Sequence, residues 1–518
     1  MATLTVPFVV RHRHQAQQHV RADVAPIPLA GARRTWVLVA SLAAIFIDQS
    51  ASSISSSTLP SIQGAFGLGP DQGSWVLTVE TAPYYASILS SIWLVARFGR
   101  KPVLVASLLG YALFSLLCIV APDATVLLVL RFLQGIAQGG LFTTATLVIF
   151  TSHEPRELPK VFLPFQAVSL GGAALGPLVG GSLVEWGYWT DAFAWSAVLS
   201  LVTAAIILWQ LPHHGRYRRI AYDPIGFLLA LAMFVPFQYL VNEGERRDWF
   251  NDPNVTLAAI AFVVLAAIFA YWQRSAGRHP FIDVRVLGNR NLVVGLAISA
   301  VLNLAGYSTT LLIQYAQLDA GFSPTEAGIV VGVRIAGIAL GVFATGALVI
   351  RGLTTPRTAF VVGTVAYLFG LFAVGNLMTS TEDLAAYLPL TIAVGLAQGV
   401  ANQPLAPMIF GSVAAADLPM GLIFYKLAPQ IGLSVGNALS QRMLDVVSAQ
   451  RLSDLAGDVT LQNTAAAAFV QDGHASQLSS LVAGQAMTLA YGDVTRWLAV
   501  IGVAALVLVL FMRVAHRK

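Results

Sequence analysis

Charge is scarce in this sequence: Asp, Glu, Lys and Arg make up only 11% of its 518 residues, against roughly 25% in an ordinary soluble domain. A globular protein whose surface must be solvated is thereby excluded. Cysteine is nearly absent. The one example, Cys118, stands in an apolar run, so neither a disulfide framework nor a thiolate metal site can be assembled, and Cys118 reads as a small packing residue. There is no Gly-x-x-x-x-Gly-Lys-Ser/Thr loop, which leaves direct ATP drive unsupported, and the nine histidines fall largely in loops and tails. No catalytic or metal-binding constellation emerges, so the chain reads as a non-enzyme without a cofactor. Ten-residue segments of alternating polarity, the mark of a membrane β-barrel, are also missing. The polar, basic first 34 residues lack the apolar centre of a signal peptide and read as a cytoplasmic tail.

What the sequence does contain is hydrocarbon: 56% of its residues are hydrophobic and its mean hydropathy is +0.72. Apolar runs of about 20 residues, enough to cross a hydrocarbon core of about 30 Å, recur between short polar stretches. The fold class that follows is an all-α polytopic membrane protein with fourteen spans, starting near Trp36, Ser74, Val103, Val126, Val161, Ala192, Ile225, Val255, Leu292, Thr325, Thr358, Ala386, Gly421 and Leu498. Cytoplasmic loops carry the excess of Lys and Arg in such proteins. With both termini inside, the tail, "RFGRK" at 97–101, "RELPK" at 156–160, "RYRR" at 216–219, the region 274–290, Arg351, Arg357 and the final "RVAHRK" are all cytoplasmic, and only Arg246, Arg247, Arg451 and Arg496 fall outside. The net charge of +5 reflects this bias and not nucleic-acid binding. The expected location is the cytoplasmic (inner) membrane.

A shift of 254 residues lays "GLGPDQGSWVLTVETA" from Gly67 over "GFSPTEAGIVVGVRIA" from Gly321, and span 2 over span 10. Two six-helix halves with two inserted helices follow: a tail at 1–34, a first half at 35–212, inserted helices at 213–275 and a second half at 276–518 with an extracellular loop at about 446–494. Parallel halves of this kind are a transporter plan, with the substrate near the midplane.

Several stretches resemble the fourteen-helix drug:proton antiporters (EmrB/QacA-type) of the major facilitator superfamily, over nearly the whole chain from Trp36 onward. "IWLVARFGRK" resembles the family's loop between spans 2 and 3, keeping Leu94, Arg97, Gly99, Arg100 and Lys101, with Ile92 at its first glycine and Ala96 at its acid. "LRFLQGIAQGG" resembles its Arg-x-x-Gln-Gly element at Arg131, Gln134 and Gly135, and "GAALGPLVGG" its Gly-x-x-x-Gly-Pro-x-x-Gly-Gly pattern at Gly172, Gly176, Pro177, Gly180 and Gly181. "YDPIGFLL", "HPFIDVRVLGNRN" and "AGQAMTLAYGD" resemble its later segments. The resemblance implies the major facilitator fold and proton-driven multidrug efflux of small amphiphilic compounds. The implied partners are the substrate, protons and the lipid bilayer, with room for a periplasmic membrane-fusion adaptor. Two other readings stand beside it: export of one dedicated metabolite or fatty acid, and a facilitator or sensor without proton exchange.

Glycines four apart clear one helix face for close approach of a neighbour, and proline bends the helix by deleting a backbone hydrogen bond. The span containing Gly176 is therefore expected to gate. The alternative for the same glycines is ordinary tight packing. Ionisable residues inside spans persist mainly where they face a partner or a wet cavity. Asp48, Glu80 and Arg131 all come out roughly 10 Å below the extracellular side at about 1.5 Å per residue, in one layer. Asp48, which resembles the acid of the family's first span, and Glu80, which stands on burial alone, are candidates to load and release a proton. Arg131 is their counter-charge or a purely structural brace. Arg334 lies on Glu80 under the 254-residue shift and is expected to meet it, or to bind an anionic part of the substrate. Lys426 and Arg442, nearer span ends, are expected to snorkel to the surface.

Overall fold

The computed structural model of the protein describes residues 27, 29–154, 157–212, 223–275, 282, 284–318, 322, 324–378, 384–414, 417–458 and 475–512. The basic tail before residue 27, "RYRR" at 216–219 and the terminal "RVAHRK" beyond residue 512 lie outside the described residues. In hydrocarbon every backbone N–H and C=O must find its partner within the segment, and the apolar runs accordingly form helices. In chain order these are α1 (Gly31–Phe66), α2 (Pro70–Phe98), α3 (Arg100–Ile119), α4 (Ala124–Gln138), α5 (Leu141–Ser152), α6 (Leu158–Trp186), α7 (Trp189–Gln210), α8 (Pro224–Glu243) and α9 (Pro253–Ser275). There follow α10 (Arg290–Gly306), α11 (Ser308–Leu318), α12 (Pro324–Ile350), α13 (Pro356–Leu377), α14 (Leu384–Asn402), α15 (Leu405–Phe410), α16 (Leu418–Asp458) and α17 (Ala475–Leu510).

All fourteen expected span starts fall inside a helix. Among the described residues, eight helical stretches are long and apolar enough to cross a membrane, or nine when the two arms of α6, Pro164–Ala173 and Leu178–Trp186, bent by 43° from each other, are taken as one. The bend falls at the stretch containing Gly176 and Pro177, where proline removes a rung of the hydrogen-bond ladder. Helices α16 and α17 run for 41 and 36 residues. At about 1.5 Å per residue each is longer than a core of about 30 Å is thick, so both continue into the polar layers. Gly99 joins α2 to α3 at φ 89°, a conformation costly for a side-chain-bearing residue, with its N–H bonded to the Val95 carbonyl at 2.8 Å.

The chain packs into two units: Met1–Leu240 with Phe250–Leu292 and Ser412–Leu427, and Val241–Trp249 with Val293–Gly411 and Ala428–Lys518. The apolar core of the first includes Ile45, Leu104, Leu108, Leu141 and Val148, all fully buried. That of the second includes Leu311, Tyr315, Leu371, Val494 and Leu498.

One packing device appears in both units. In the first, α4 presses on α2 through Gly135 and Gly139: a Cβ at Gly135 would collide with the Glu80 carbonyl oxygen, and one at Gly139 would lie 2.8 Å from the Tyr84 carbonyl oxygen. In the second, α14 presses on α12 through Gly395 and Gly399, where added Cβ atoms would collide with the carbonyl oxygens of Arg334 and Ile338. The glycines belong to near-identical strings, "GIAQGG" at 135–140 and "GLAQGV" at 395–400. Thus Glu80 and Arg334, equivalent under the 254-residue shift, sit beneath equivalent glycines. The sequence reading missed this second repeat because its offset is 260 residues and not 254.

Gly135→Ala should lower the thermal unfolding midpoint of the purified protein, since overpacking against backbone costs about 1–3 kcal/mol. Gly181→Ala, where a Cβ would meet nothing within 4 Å, should leave it unchanged or slightly higher. Equal midpoints for the two variants would contradict the packing described.

Candidate substrate and proton site

Within the first unit, three helices converge polar side chains. Glu80 and Tyr84, one turn apart, come from α2; Arg131, Gln134 and Gln138 come from α4; Asp48, Gln49 and Ser55 come from α1. Arg131 is 1% exposed and is held by polar and aromatic partners. It forms an ion pair with Glu80, donates from Nε to the Val76 carbonyl (3.1 Å) and from its terminal nitrogens to Gln134 Oε1 (2.7 Å) and Ser55 Oγ (3.0 Å). The guanidinium also lies 5.7 Å from the centre of the Phe193 ring. Gln134 passes the network on, donating to Ser115 Oγ at 2.8 Å. A small cavity adjoins Arg131, lined by Ser55, Tyr111, Gln134, Phe193 and Ser196. The second carboxylate oxygen of Glu80 is buried with no hydrogen-bond partner among the described residues, which leaves a vacant acceptor beside the pair.

Asp48 holds a second pair. Tyr84 donates its hydroxyl to Oδ1 at 3.1 Å, and Nζ of Lys426 lies 2.8 Å from Oδ2. Gln138 donates to the Asp48 main-chain carbonyl at 3.2 Å. Lys426 also bonds Gln49 Oε1 and stands 4.1 Å over the Phe142 ring. The lysine comes from α16, 378 residues along the chain from Asp48. This corrects the expectation that Lys426 snorkels: its side chain is 6% exposed and held by a carboxylate. The signal was present in "GLIFYKLAPQ", a lone cation in the apolar start of a helix, but no local pattern names a partner so far away. Arg442 is different, 45% exposed and paired with Glu245 at 2.7 Å.

In the second unit Arg334 is 2% exposed. Its guanidinium donates to Ser308 Oγ (3.3 Å), Gln398 Oε1 (3.2 Å) and, at 3.5 Å, the Tyr367 hydroxyl. All three partners are neutral. The expected meeting of Glu80 and Arg334 does not describe these bonds: the partner of Glu80 is Arg131, and those of Arg334 belong to its own unit.

The glycines of α6 divide. Gly172 is buried, and a Cβ there would lie 2.9 Å from both the Phe46 carbonyl oxygen and Gln49 Cβ of α1, so at this position the glycine serves tight packing within the first unit. Gly171 and Gly181 face open space, Gly176 and Gly180 are buried, and the Pro177 side chain lies outside the described residues. In the 97–101 motif, Arg97 lies over the rings of Trp93 and Phe98 at 5.7 and 5.5 Å, Arg100 is buried, and Lys101 Nζ donates to the Leu208 carbonyl at 2.6 Å. Arg33 Nε donates to the Gln210 carbonyl at 2.6 Å. Two cations thus satisfy the final carbonyls of α7, where the helix dipole is negative. Nearby, the hydrogen bond from Arg34 holds the Glu157 carboxyl below its ordinary value.

Helical units in which paired glycines lie on a neighbour's backbone, with charged side chains buried inside apolar helices, fit a multi-pass membrane protein. Residues 41–276 match the family profile of the Major Facilitator Superfamily. The chain is 29% identical over 453 residues to puromycin resistance protein pur8 of Streptomyces alboniger, covering 84% of this chain and 88% of that protein. It is 26% identical over 487 residues to colistin resistance protein EmrB of Acinetobacter baumannii, covering 89% and 92%. The fold is also that of the POT family transporter PepTSo, at a TM-score of 0.58 and 14% identity over 94% of this chain and all of that one. Residues 41–276 thus resemble the major facilitator superfamily, and curated proteins similar to the chain are named as drug-export and resistance proteins.

Removing one member of a buried pair strands the other charge, at a cost of about 3–5 kcal/mol. Lys426→Gln should therefore lower the unfolding midpoint markedly, and Asp48→Asn combined with Lys426→Gln should recover most of the loss. Additive losses in the double variant would mean that the two residues do not depend on each other.

Proposed function

We propose that the protein exports small amphiphilic compounds in exchange for protons, by alternating access, from the cytoplasmic (inner) membrane with both termini in the cytoplasm. The observation that carries this reading is the pair of carboxylates, Asp48 and Glu80, buried inside apolar helices and each bound to a cation. Protonating either one removes the charge its cation requires. Proton binding is therefore linked energetically to rearrangement around Lys426 or Arg131. No cofactor is needed when the proton gradient supplies the work. The names of the relatives, resistance to puromycin and to colistin, support drug-like cargo. In this reading the buried Gly176 and Gly180 and the bend of α6 serve the gate, the 97–101 motif braces the cytoplasmic end, and a periplasmic adaptor is an additional partner.

The same ion pairs favour a second reading. If both carboxylates stay paired throughout, the protein is a facilitator, or an exporter of one dedicated metabolite, without proton exchange.

Proteoliposomes carrying an imposed pH gradient separate the two. The wild type should accumulate substrate against its concentration and move protons in the opposite direction, and Asp48→Asn should lose uphill movement while retaining downhill exchange. If Glu80→Gln loses it and Asp48→Asn does not, the proton is carried by Glu80; gradient-insensitive transport by the wild type would refute proton coupling. In the same assay Gly176→Leu should abolish transport at near-normal expression, and wild-type rates from it would remove the gating role.

A further inference from the structure

We propose that Arg334 and the first turn of α11 form a recognition site for an organic carboxylate, so that the cargo includes amphiphiles bearing that group. The inference deepens the transporter reading and rests on it only for the identity of the ligand as cargo.

The two units differ in charge at equivalent positions. Beneath Gly135 the first unit places Glu80, and four residues before that glycine α4 supplies Arg131 to neutralise it. Beneath Gly395 the second unit places Arg334. The residue four before that glycine is Thr391, whose hydroxyl donates to the Tyr387 carbonyl of its own helix at 2.6 Å. The neutralising position of the motif is thus occupied by a side chain without charge. Gln398, which matches Gln138 in the string "GLAQGV", turns its oxygen toward Arg334. The recorded partners of the guanidinium, Ser308, Tyr367 and Gln398, offer only neutral oxygens, and its buried Nε has no hydrogen-bond partner among the described residues.

A second feature points to the same kind of ligand. The apolar run that begins at Arg290 is broken at Tyr307, and α11 restarts at Ser308 for 11 residues. Ser308 is the residue that Arg334 touches. A restarted helix presents N–H groups without intrahelical acceptors and a partial positive charge, and interrupted membrane helices bind anionic substrate groups in this way. A guanidinium with a vacant N–H beside a helix N-terminus matches a carboxylate, which accepts two parallel bonds. An inorganic anion such as chloride would satisfy the charge but not the fork.

The test is equilibrium binding to the full-length protein in lipid nanodiscs, with 2-naphthoate and its uncharged isostere 2-naphthamide, in chloride and in nitrate buffers and with no gradient. The wild type should bind naphthoate at least tenfold more tightly than naphthamide in both buffers. Arg334→Gln should abolish that preference, and Arg334→Lys, which keeps the charge and loses the fork, should retain part of it. Glu80→Gln, in the other unit, should retain it fully. Thermal melts establish that each variant is folded, and if Arg334→Gln is not, Arg334→Lys and the wild type decide. Equal binding of the two naphthalenes by the wild type, or an undiminished preference in the folded Arg334 variants, would overturn the proposal. So would chloride protection of the protein without any naphthoate preference, which would assign the site to an inorganic anion. Because no gradient is applied, failure of proton coupling would leave this result unaffected.

Discussion

A charge inside hydrocarbon is tolerated only when nearby groups neutralise it or take the place of water around it, and the polar architecture of this protein depends on that constraint. Removing an ion from water costs several kcal/mol even after the surroundings relax. Arg131 meets the cost with a carboxylate, a carbonyl, an amide, a hydroxyl and an aromatic ring. Asp48 meets it with a lysine and a tyrosine. Arg334 meets it with three neutral oxygens.

These arrangements require helices closer together than ordinary side chains permit. Gly135 and Gly139 let α4 lie directly on the backbone of α2, and this contact brings Arg131 to Glu80. Gly395 and Gly399 do the same for α14 on α12. Small residues thus precede charge in the logic of the fold: van der Waals contact between smooth faces positions the helices, and the polar network then uses the proximity. Where the contact is repeated and the countercharge is not, as at Arg334, one scaffold carries two electrostatic tasks.

The transporter reading joins these facts to mechanism. On the proposed proton-coupled reading each buried pair is a two-state element, since a proton on the carboxylate leaves the cation to find another partner. Tyr84, which bonds Asp48, stands one turn from Glu80 on α2, so the helix that carries one carboxylate also holds the other. The vacant oxygen of Glu80 and the cavity beside Arg131 are where such a change has room to occur.

The sequence by itself determined the helical membrane class, the positions of the helices and the burial of Asp48, Glu80, Arg131 and Arg334, but it placed Lys426 at the surface. Hydropathy over about 20 residues and the expense of an isolated charge are local properties, readable one segment at a time. The internal repeat was half readable: the offset of 254 aligned Glu80 with Arg334, while the matching "GIAQGG" and "GLAQGV" at 260 gained meaning only when both were seen to rest on those two residues. Partner choice belonged to the tertiary structure. Nothing local tells Glu80 to take Arg131, or brings Lys426 across 378 residues to Asp48. Nor does Gly172 announce that it packs against Phe46 and Gln49 of α1. A pairing depends on which helix faces come together, and that is set by the packing of the whole bundle.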